Sequence, residues 1–246
     1  QPTENFQLGM ELLGKYTLFA EGSRGHLGRR LIERFKLDAD SDPQSYAIGI
    51  KELWEIDPSR HTPGFVMHTA GWPMDEQTYG GAFLYHAEDN KVYCGYVVGL
   101  NYKNPYLSPF EEFQRWKTHP RVKWYFTDDA GNVNAKRISY GARAITAGGI
   151  LALPKTVFPG GALVGCEAGY LNVSRIKGSH AAIKTGMLAA EAAYDAVGEG
   201  RAQHALTAYP AAFQKSWLHQ QLHQARNFKP WFKSCLTLGT TMTRTA

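Results

Sequence analysis

The chain has 246 residues, enough for one large domain or two interleaved ones with a true core, which excludes a stapled miniprotein. Its 43% hydrophobic and 20% charged residues exclude a disordered, collagen-like or coiled-coil chain. A net charge of +5 would suit an acidic partner, a phosphate-bearing cofactor or an anionic membrane surface, and solvated lysines and arginines explain it equally.

Residues 15–20 form an apolar run that stops at Glu21-Gly22, after which Leu27, Leu31, Ile32 and Phe35 recur at helical spacing: strand, turn, helix. Residues 46–56, 65–72, 81–86 and 91–100 are short β-branched and aromatic runs separated by turns, so the middle of the chain reads as a sheet. Glu88-Asp89-Asn90 joins the last two runs as an antiparallel hairpin. Ser108-Pro109-Phe110-Glu111 carries an N-cap serine, a proline at the first helical position and a glutamate able to close a capping box. The helix is expected to reach about His119, to bury Phe110, Phe113 and Trp116, and to stop at Pro120.

Residues 128–134 form a surface loop. A second strand-helix unit follows Gly148-Gly149: residues 161–164, a glycine-punctuated turn, then Ile183, Met187, Ala190, Tyr194 and Val197 along one helical face, ended by Gly198. Gly186 would let that helix pack closely on a strand or a cofactor. Pro210 and Pro230 each open a further helical stretch, one with Phe213, Trp217 and Leu218, the other with Trp231, Phe232 and Leu236. The fold class is therefore mixed α/β (α+β), a largely antiparallel sheet inserted into a nucleotide-binding domain whose two halves meet in space.

Three segments could carry chemistry. In residues 19–27 a strand ends in a glycine turn at a helix start, which would let backbone approach a ligand or be an ordinary turn. Residues 159–172, followed by Ile176-Lys177-Gly178-Ser179-His180, place glycines where a strand feeds a helix whose N-terminus favours an anionic ring or phosphate. Thr78-Tyr79-Gly80-Gly81 puts paired glycines beside an aromatic strand, either to hydrogen-bond a carbonyl in an apolar slot or as a strand-end bulge.

Other chemistries lack their patterns. Cys94, Cys166 and Cys235 are too far apart for a zinc knuckle or local disulfide framework, so a reducing compartment is the simpler reading. His219 and His223 share a helix face without a carboxylate at ligand spacing, so no metal site and no catalytic side chain is assigned. There is no nucleophile elbow or Walker loop, and Arg24, Arg29, Arg30 and Arg34 make a basic helix without a nucleic-acid-binding pattern, so no nucleic-acid partner is expected. Nothing approaches the roughly 18 consecutive apolar residues of a membrane span. The start lacks an initiator Met and a signal-peptide pattern and reads as an internal cut.

Gly9-Met10-Glu11-Leu12, Phe19-Ala20-Glu21-Gly22, Lys51-Glu52-Leu53-Trp54, Thr78-Tyr79-Gly80-Gly81, Asn104-Pro105-Tyr106-Leu107-Ser108-Pro109-Phe110, Phe113-Gln114-Arg115-Trp116-Lys117, Tyr140-Gly141-Ala142-Arg143 and Lys177-Gly178 are specific words. Through them most of the chain resembles the electron transfer flavoprotein:ubiquinone oxidoreductase family. The resemblance implies a glutathione-reductase-like FAD domain in segments 1–36 and 141–200, an inserted ubiquinone-binding domain at 37–140, and a helical tail at 201–246 leading toward an iron-sulfur region. It implies ubiquinone contact at Gly80 and Gly81. It implies FAD contact at Ala20, Glu21, Gly22, Arg24, Gly165, Gly169, Asn172, Lys177 and Gly178.

It also implies the family's 4Fe-4S cluster in the parent protein, electron transfer flavoprotein as partner, and a peripheral place on the inner membrane. That is the matrix face in a mitochondrion or the cytoplasmic face in a bacterium. Two family features are missing: the G-x-G-x-x-G phosphate loop and the cysteine-rich cluster segment. Related flavoproteins commonly carry an aspartate after the glycine near Gly165, where Cys166 and Glu167 stand here. The competing readings are a noncatalytic quinone- or membrane-binding fragment and a related FAD-dependent reductase or hydroxylase of another apolar substrate.

Overall fold

In the computed structural model, which describes residues 3–232 and 236–244, the chain builds two sheets with separate apolar cores. Strand β1 (Thr17–Phe19) ends in the expected turn and leads into helix α1 (His26–Phe35). Far along the chain, β7 (Val157–Phe158) and β8 (Gly161–Leu163) complete a three-stranded sheet in the order β1-β8-β7. β1 pairs with β8 in parallel, Thr17 opposite Gly161, so the two chain halves meet as the sequence predicts. Phe158 stacks on Phe35 with ring centroids 4.9 Å apart, tying α1 to this sheet. Leu31, Ile32 and Phe35 pack inward, whereas Leu27, read as part of the same face, is exposed.

Between these halves lies the five-stranded sheet, ordered β3-β4-β5-β2-β6 and antiparallel throughout. Its strands are β2 (Tyr46–Glu55), β3 (Val66–Ala70), β4 (Gly80–His86), β5 (Lys91–Gly99) and β6 (Lys136–Thr146). Asp89 and Asn90, at the β4–β5 hairpin, both take positive φ, the backbone that a tight right-twisted hairpin requires. β6 went unread in the sequence. It runs through residue 140, where the reading ended the inserted segment, and pairs with β2 as far as Thr146. Its polar first half is exposed, so it lacks the apolar alternation that marks a strand.

Helix α2 (Pro109–Lys117) covers one face of this sheet; the Ser108 hydroxyl accepts from the Glu111 amide at its start, and Phe113 and Trp116 are buried. Phe110 is exposed instead, because its place in the first turn lies off the side set by Phe113 and Trp116. Pro120 ends that helix and begins α3 (Pro120–Lys123). Glu52, almost fully buried on β2, holds α2 down: Lys117 Nζ lies 2.6 Å from its carboxylate and Arg137 Nη1 3.3 Å.

Helix α4 (Ser179–Gly198) packs against the smaller sheet, but with the opposite face to the one read from sequence. Ala181, Thr185, Leu188, Ala189, Ala192 and Ala196 are buried, whereas Ile183, Met187, Ala190 and Tyr194 are exposed. Small residues allow the closest approach of helix to sheet, so the alanine stripe wins over the larger side chains. Gly186 plays no part in this, since a Cβ there meets nothing within 4 Å. Helices α5 (Ala208–Gln214) and α6 (Trp217–Gln224) follow, separated at Ser216, whose hydroxyl accepts from the His219 amide; His219 and His223 do share a face. Tyr209 is buried on α5, and its hydroxyl donates to the Leu163 carbonyl at 3.2 Å.

Pro210 and Pro230 sit in the first turns of α5 and of the short α7 (Phe228–Trp231) rather than at their first positions. The last described helix is α8 (Leu236–Arg244). Cys235 and the Leu236 side chain, both used in the sequence reading, lie outside the described residues.

Candidate functional site

The face of the five-stranded sheet turned away from α2 floors a chamber of about 790 Å³. Gly81, Phe83 and Tyr85 of β4 lie on this face, as do Ala47, Gly49 and Lys51 of β2 and Gly141, Arg143 and Ile145 of β6. Glycines keep the floor low, and at Gly141 a side chain would enter open space. Leu171, Val173, Ile176 and Lys177, in the loop before α4, make one wall, and Phe228, Phe232 and Thr240 close another. Thus two of the three sequence segments line one apolar space.

At Gly80 and Gly81 the sheet itself demands glycine. A Cβ on Gly81 would meet the Thr69 carbonyl oxygen, and one on Gly80 the Val97 carbonyl oxygen and Met74. The register runs through both residues without a bulge, which removes that alternative. The Tyr79 carbonyl accepts from the Gly99 amide at 2.8 Å. By antiparallel alternation, the next residue, Gly80, turns its own amide and carbonyl away from β5, toward the point where β3 stops at Ala70. Tyr79 packs under Lys229, whose Nζ lies 3.7 Å from the ring centre, and burial pushes its phenol up to about 12.

The third segment touches the second through Glu167. Glu21 caps α1, its carboxylate accepting from the amides of Leu27 and Gly28, each at 2.9 Å. The Glu167 side chain turns back under the start of α1, where Cβ atoms on Gly25 and Gly28 would otherwise be. Burial, with the Glu21 charge beside it, raises its carboxyl to about 7, and Oε2 has no hydrogen-bond partner. Ser23 bonds the Ala144 carbonyl and Arg24 lies 5.0 Å from the Tyr46 ring centre, so the same turn leans on the larger sheet. Ala20 and Gly22 complete it, Gly22 with φ +94°.

Around the start of α4, Gly165 donates to Thr185 Oγ1 at 3.0 Å, and Gly165 and Gly169 both take positive φ. Asn172 is buried; its Oδ1 accepts from the Arg175 amide and the Ser174 hydroxyl, while Nδ2 has no partner. Lys177 pairs with Asn172 through backbone and sends Nζ over the Tyr85 ring, 5.7 Å from its centre. Gly178 is the N-cap of α4 and no side chain caps the helix start. Sequence reasoning found Gly80, Gly81 and Lys177. It gave Tyr85, inside the same aromatic strand, no role and missed His68, Gly141 and Arg143 as chamber residues; alternation along β4 was the available signal for Tyr85, and β6 offered none.

A family model described as ETF-QO, ubiquinone-binding, matches residues 46–145, the stretch that forms the five-stranded sheet. The electron transfer flavoprotein-ubiquinone oxidoreductase of Pseudomonas aeruginosa is 56% identical over 89% of this chain and 39% of its own length. The mitochondrial enzymes of that name from Arabidopsis thaliana and Bos taurus are 50% and 48% identical, each over 96% of this chain. The chain belongs to the electron transfer flavoprotein-ubiquinone oxidoreductase family. It spans 36% of the Arabidopsis and 38% of the bovine relative.

The fold is shared with solved structures of low sequence identity. A geranylgeranyl bacteriochlorophyll reductase-like protein from Thermoplasma acidophilum superposes with TM-score 0.65 at 14% identity, over 91% of this chain and 56% of its own. A flavin-dependent brominase does so with TM-score 0.62 at 18% identity, over 96% and 56%.

Proposed function

We propose that this chain supplies the quinone chamber and part of the FAD site of an oxidoreductase. The enzyme would pass electrons from reduced electron transfer flavoprotein to ubiquinone at a membrane surface. The carrying observation is the apolar chamber on Gly80 and Gly81 inside the stretch that matches the ubiquinone-binding model. Its volume suits a flat quinone ring and the first part of an apolar tail. The backbone of Gly80, turned toward the end of β3, is the hydrogen-bonding group for one quinone carbonyl, and Gly81 keeps the floor beneath it clear. On this reading residues 37–140 are the inserted quinone domain, 1–36 and 141–200 belong to the FAD domain, and 201–246 form a helical tail.

The residues near α4 fit FAD, which when bound supplies the electron pair. Gly165 and Gly169 let backbone approach it, and the buried Nδ2 of Asn172 is a donor in need of an acceptor. Gly178 leaves the first α4 amides and the helix dipole open to a negative ring, with Lys177 beside them. Ala20, Glu21, Gly22 and Arg24 would form the second edge, Glu21 by shaping the turn it caps. The two described cysteines do not fit an iron-sulfur cluster: Cys94 is buried inside the larger core, where burial pushes its thiol up, and Cys166 stands apart beside Gly178. The basic charge and the open apolar chamber support a peripheral place on an inner membrane, and no described helix is long and apolar enough to cross one.

Gly141→Leu in the complete protein tests the assignment, because the new side chain enters the chamber without striking the fold. Ubiquinone reduction should fall at least tenfold with flavin content, read from visible absorption, unchanged. Unchanged quinone turnover would overturn the chamber; loss of flavin would place the cofactor, rather than the quinone, there.

A further inference from the structure

The chamber is mostly apolar, yet one part of its wall holds a hydrogen-bonded pair of ionisable side chains. Tyr85 Oη and His68 Nε2 lie 3.1 Å apart, and both residues line the chamber. Strand register fixes this relationship. His68 of β3 stands opposite Phe83 of β4, so His68, Phe83 and Tyr85 rise on the same face as Gly81. Tyr85 is half-buried, packed on Phe83 at 4.8 Å between ring centres, with Lys177 Nζ 5.7 Å from the centre of its ring. His68 is exposed. One member of the pair faces the chamber and the other reaches water.

A quinone leaves as a quinol only after taking two electrons and two protons. The aliphatic and aromatic parts of the wall carry no protons, so the protons need a titratable group within reach of the quinone that is joined to water. Resting on the quinone reading above, we propose that Tyr85 is a catalytic proton donor to a quinone carbonyl oxygen, and that His68 positions its hydroxyl and restores its proton from water. The reduced flavin supplies the electrons. As they arrive, the phenol O–H bond breaks and an O–H bond forms on the quinone oxygen. Tyr85 Oη takes the Nε2 proton of the imidazolium, and neutral His68 regains a proton from water. The second proton follows the same route once the singly protonated ring turns its other oxygen from Gly80 to Tyr85 Oη, for a total of two electrons and two protons.

The charges around the pair favour this order of events. Lys177, Lys51 and Arg143 line the chamber and, among the described residues that line it, there is no carboxylate. Negative charge that develops on the quinone oxygen is therefore stabilised before the proton reaches it.

The test compares two electron acceptors in the complete flavin-loaded protein: decylubiquinone, which takes up protons, and ferricyanide, which takes one electron and none. For Tyr85→Phe the ratio of quinone to ferricyanide turnover should fall about tenfold to a hundredfold, with the quinone KM within about threefold. His68→Gln keeps a hydrogen bond to Tyr85 but cannot recharge it. It should lower quinone kcat at least about threefold while ferricyanide turnover stays within about twofold. An unchanged acceptor ratio in Tyr85→Phe, or in His68→Gln, would overturn the proposal. Unaltered protein that reduces ferricyanide but no quinone would instead defeat the quinone reading on which it rests.

Discussion

The carboxyl group of Glu167 occupies the space that a side chain on Gly28 would need. Gly28 lies inside α1 and takes no positive φ, so its requirement for glycine comes from this close approach rather than from backbone freedom. Glycine to alanine inside a helix ordinarily stabilises by about 1 kcal/mol. Gly28→Ala is predicted to do the reverse, destabilising by about 1–3 kcal/mol, because Glu167 must be expelled or α1 lifted. In a Glu167→Ala background the same change should become stabilising. Urea denaturation of the four variants gives this coupling, and additive effects would contradict the contact.

Glu167 also sets a pH dependence. Its carboxyl is raised to about 7 from an ordinary value of 4.5, so the folded chain keeps a proton that the unfolded chain releases between those values. Its contribution to stability is therefore fully present below about pH 4.5 and is lost as pH rises through about 7. Glu167→Gln should remove that loss, and Glu21→Gln should lessen it by deleting the like charge. Denaturation midpoints at pH 5, 6, 7 and 8 check this, and parallel pH profiles for the original chain and Glu167→Gln would refute it.

Glu52 makes a different use of a buried carboxylate. It accepts from Trp54 Nε1 at 2.8 Å and pairs with Lys117, whose side chain is only 14% exposed, so cutting Glu52 to alanine strands a largely buried cation. The expected cost is about 3–5 kcal/mol. Replacing both Glu52 and Lys117 with methionine should cost less than that single change. Equal losses would mean that packing, not the unpaired charge, dominates.

The two chamber glycines on β4 and β6 should separate fold from function. Gly81→Ala forces a side chain against the Thr69 carbonyl, so it is predicted to loosen β3 and lower the melting temperature before any effect on quinone is read. Gly141→Ala meets open space and should leave the melting temperature within about 2 °C, a ±0.5 kcal/mol effect of the ordinary surface kind. Equal shifts for the two would contradict the description of the floor.

Much of this architecture was legible in the residues. The turn at Glu21-Gly22, the hairpin at Asp89-Asn90 and the cap at Ser108 rest on local backbone chemistry, which a sequence displays directly. The meeting of the two chain halves followed from the order of the units, and the structure adds that β1 and β8 pair in parallel. Side-chain burial was less legible where two apolar faces compete: α4 turned its alanines inward and left Ile183, Met187 and Tyr194 outside, because closeness of packing, not size, decided the face. β6 was invisible, since an edge strand rich in lysine, arginine and glycine lacks the alternation of a half-buried one. The chamber glycines Gly80 and Gly81 were found as a motif. The His68–Tyr85 pair was not, because it exists only once the β3–β4 register is known.

The most direct test of the central claim is photolabelling of the complete protein with an azido-ubiquinone, mapped by peptide mass spectrometry. Label is expected in residues 79–85 and 141–147, the two strand stretches of the chamber floor, and excess ubiquinone is expected to remove it. Label that avoids both stretches, or that excess ubiquinone leaves unchanged, would contradict a quinone chamber on this sheet.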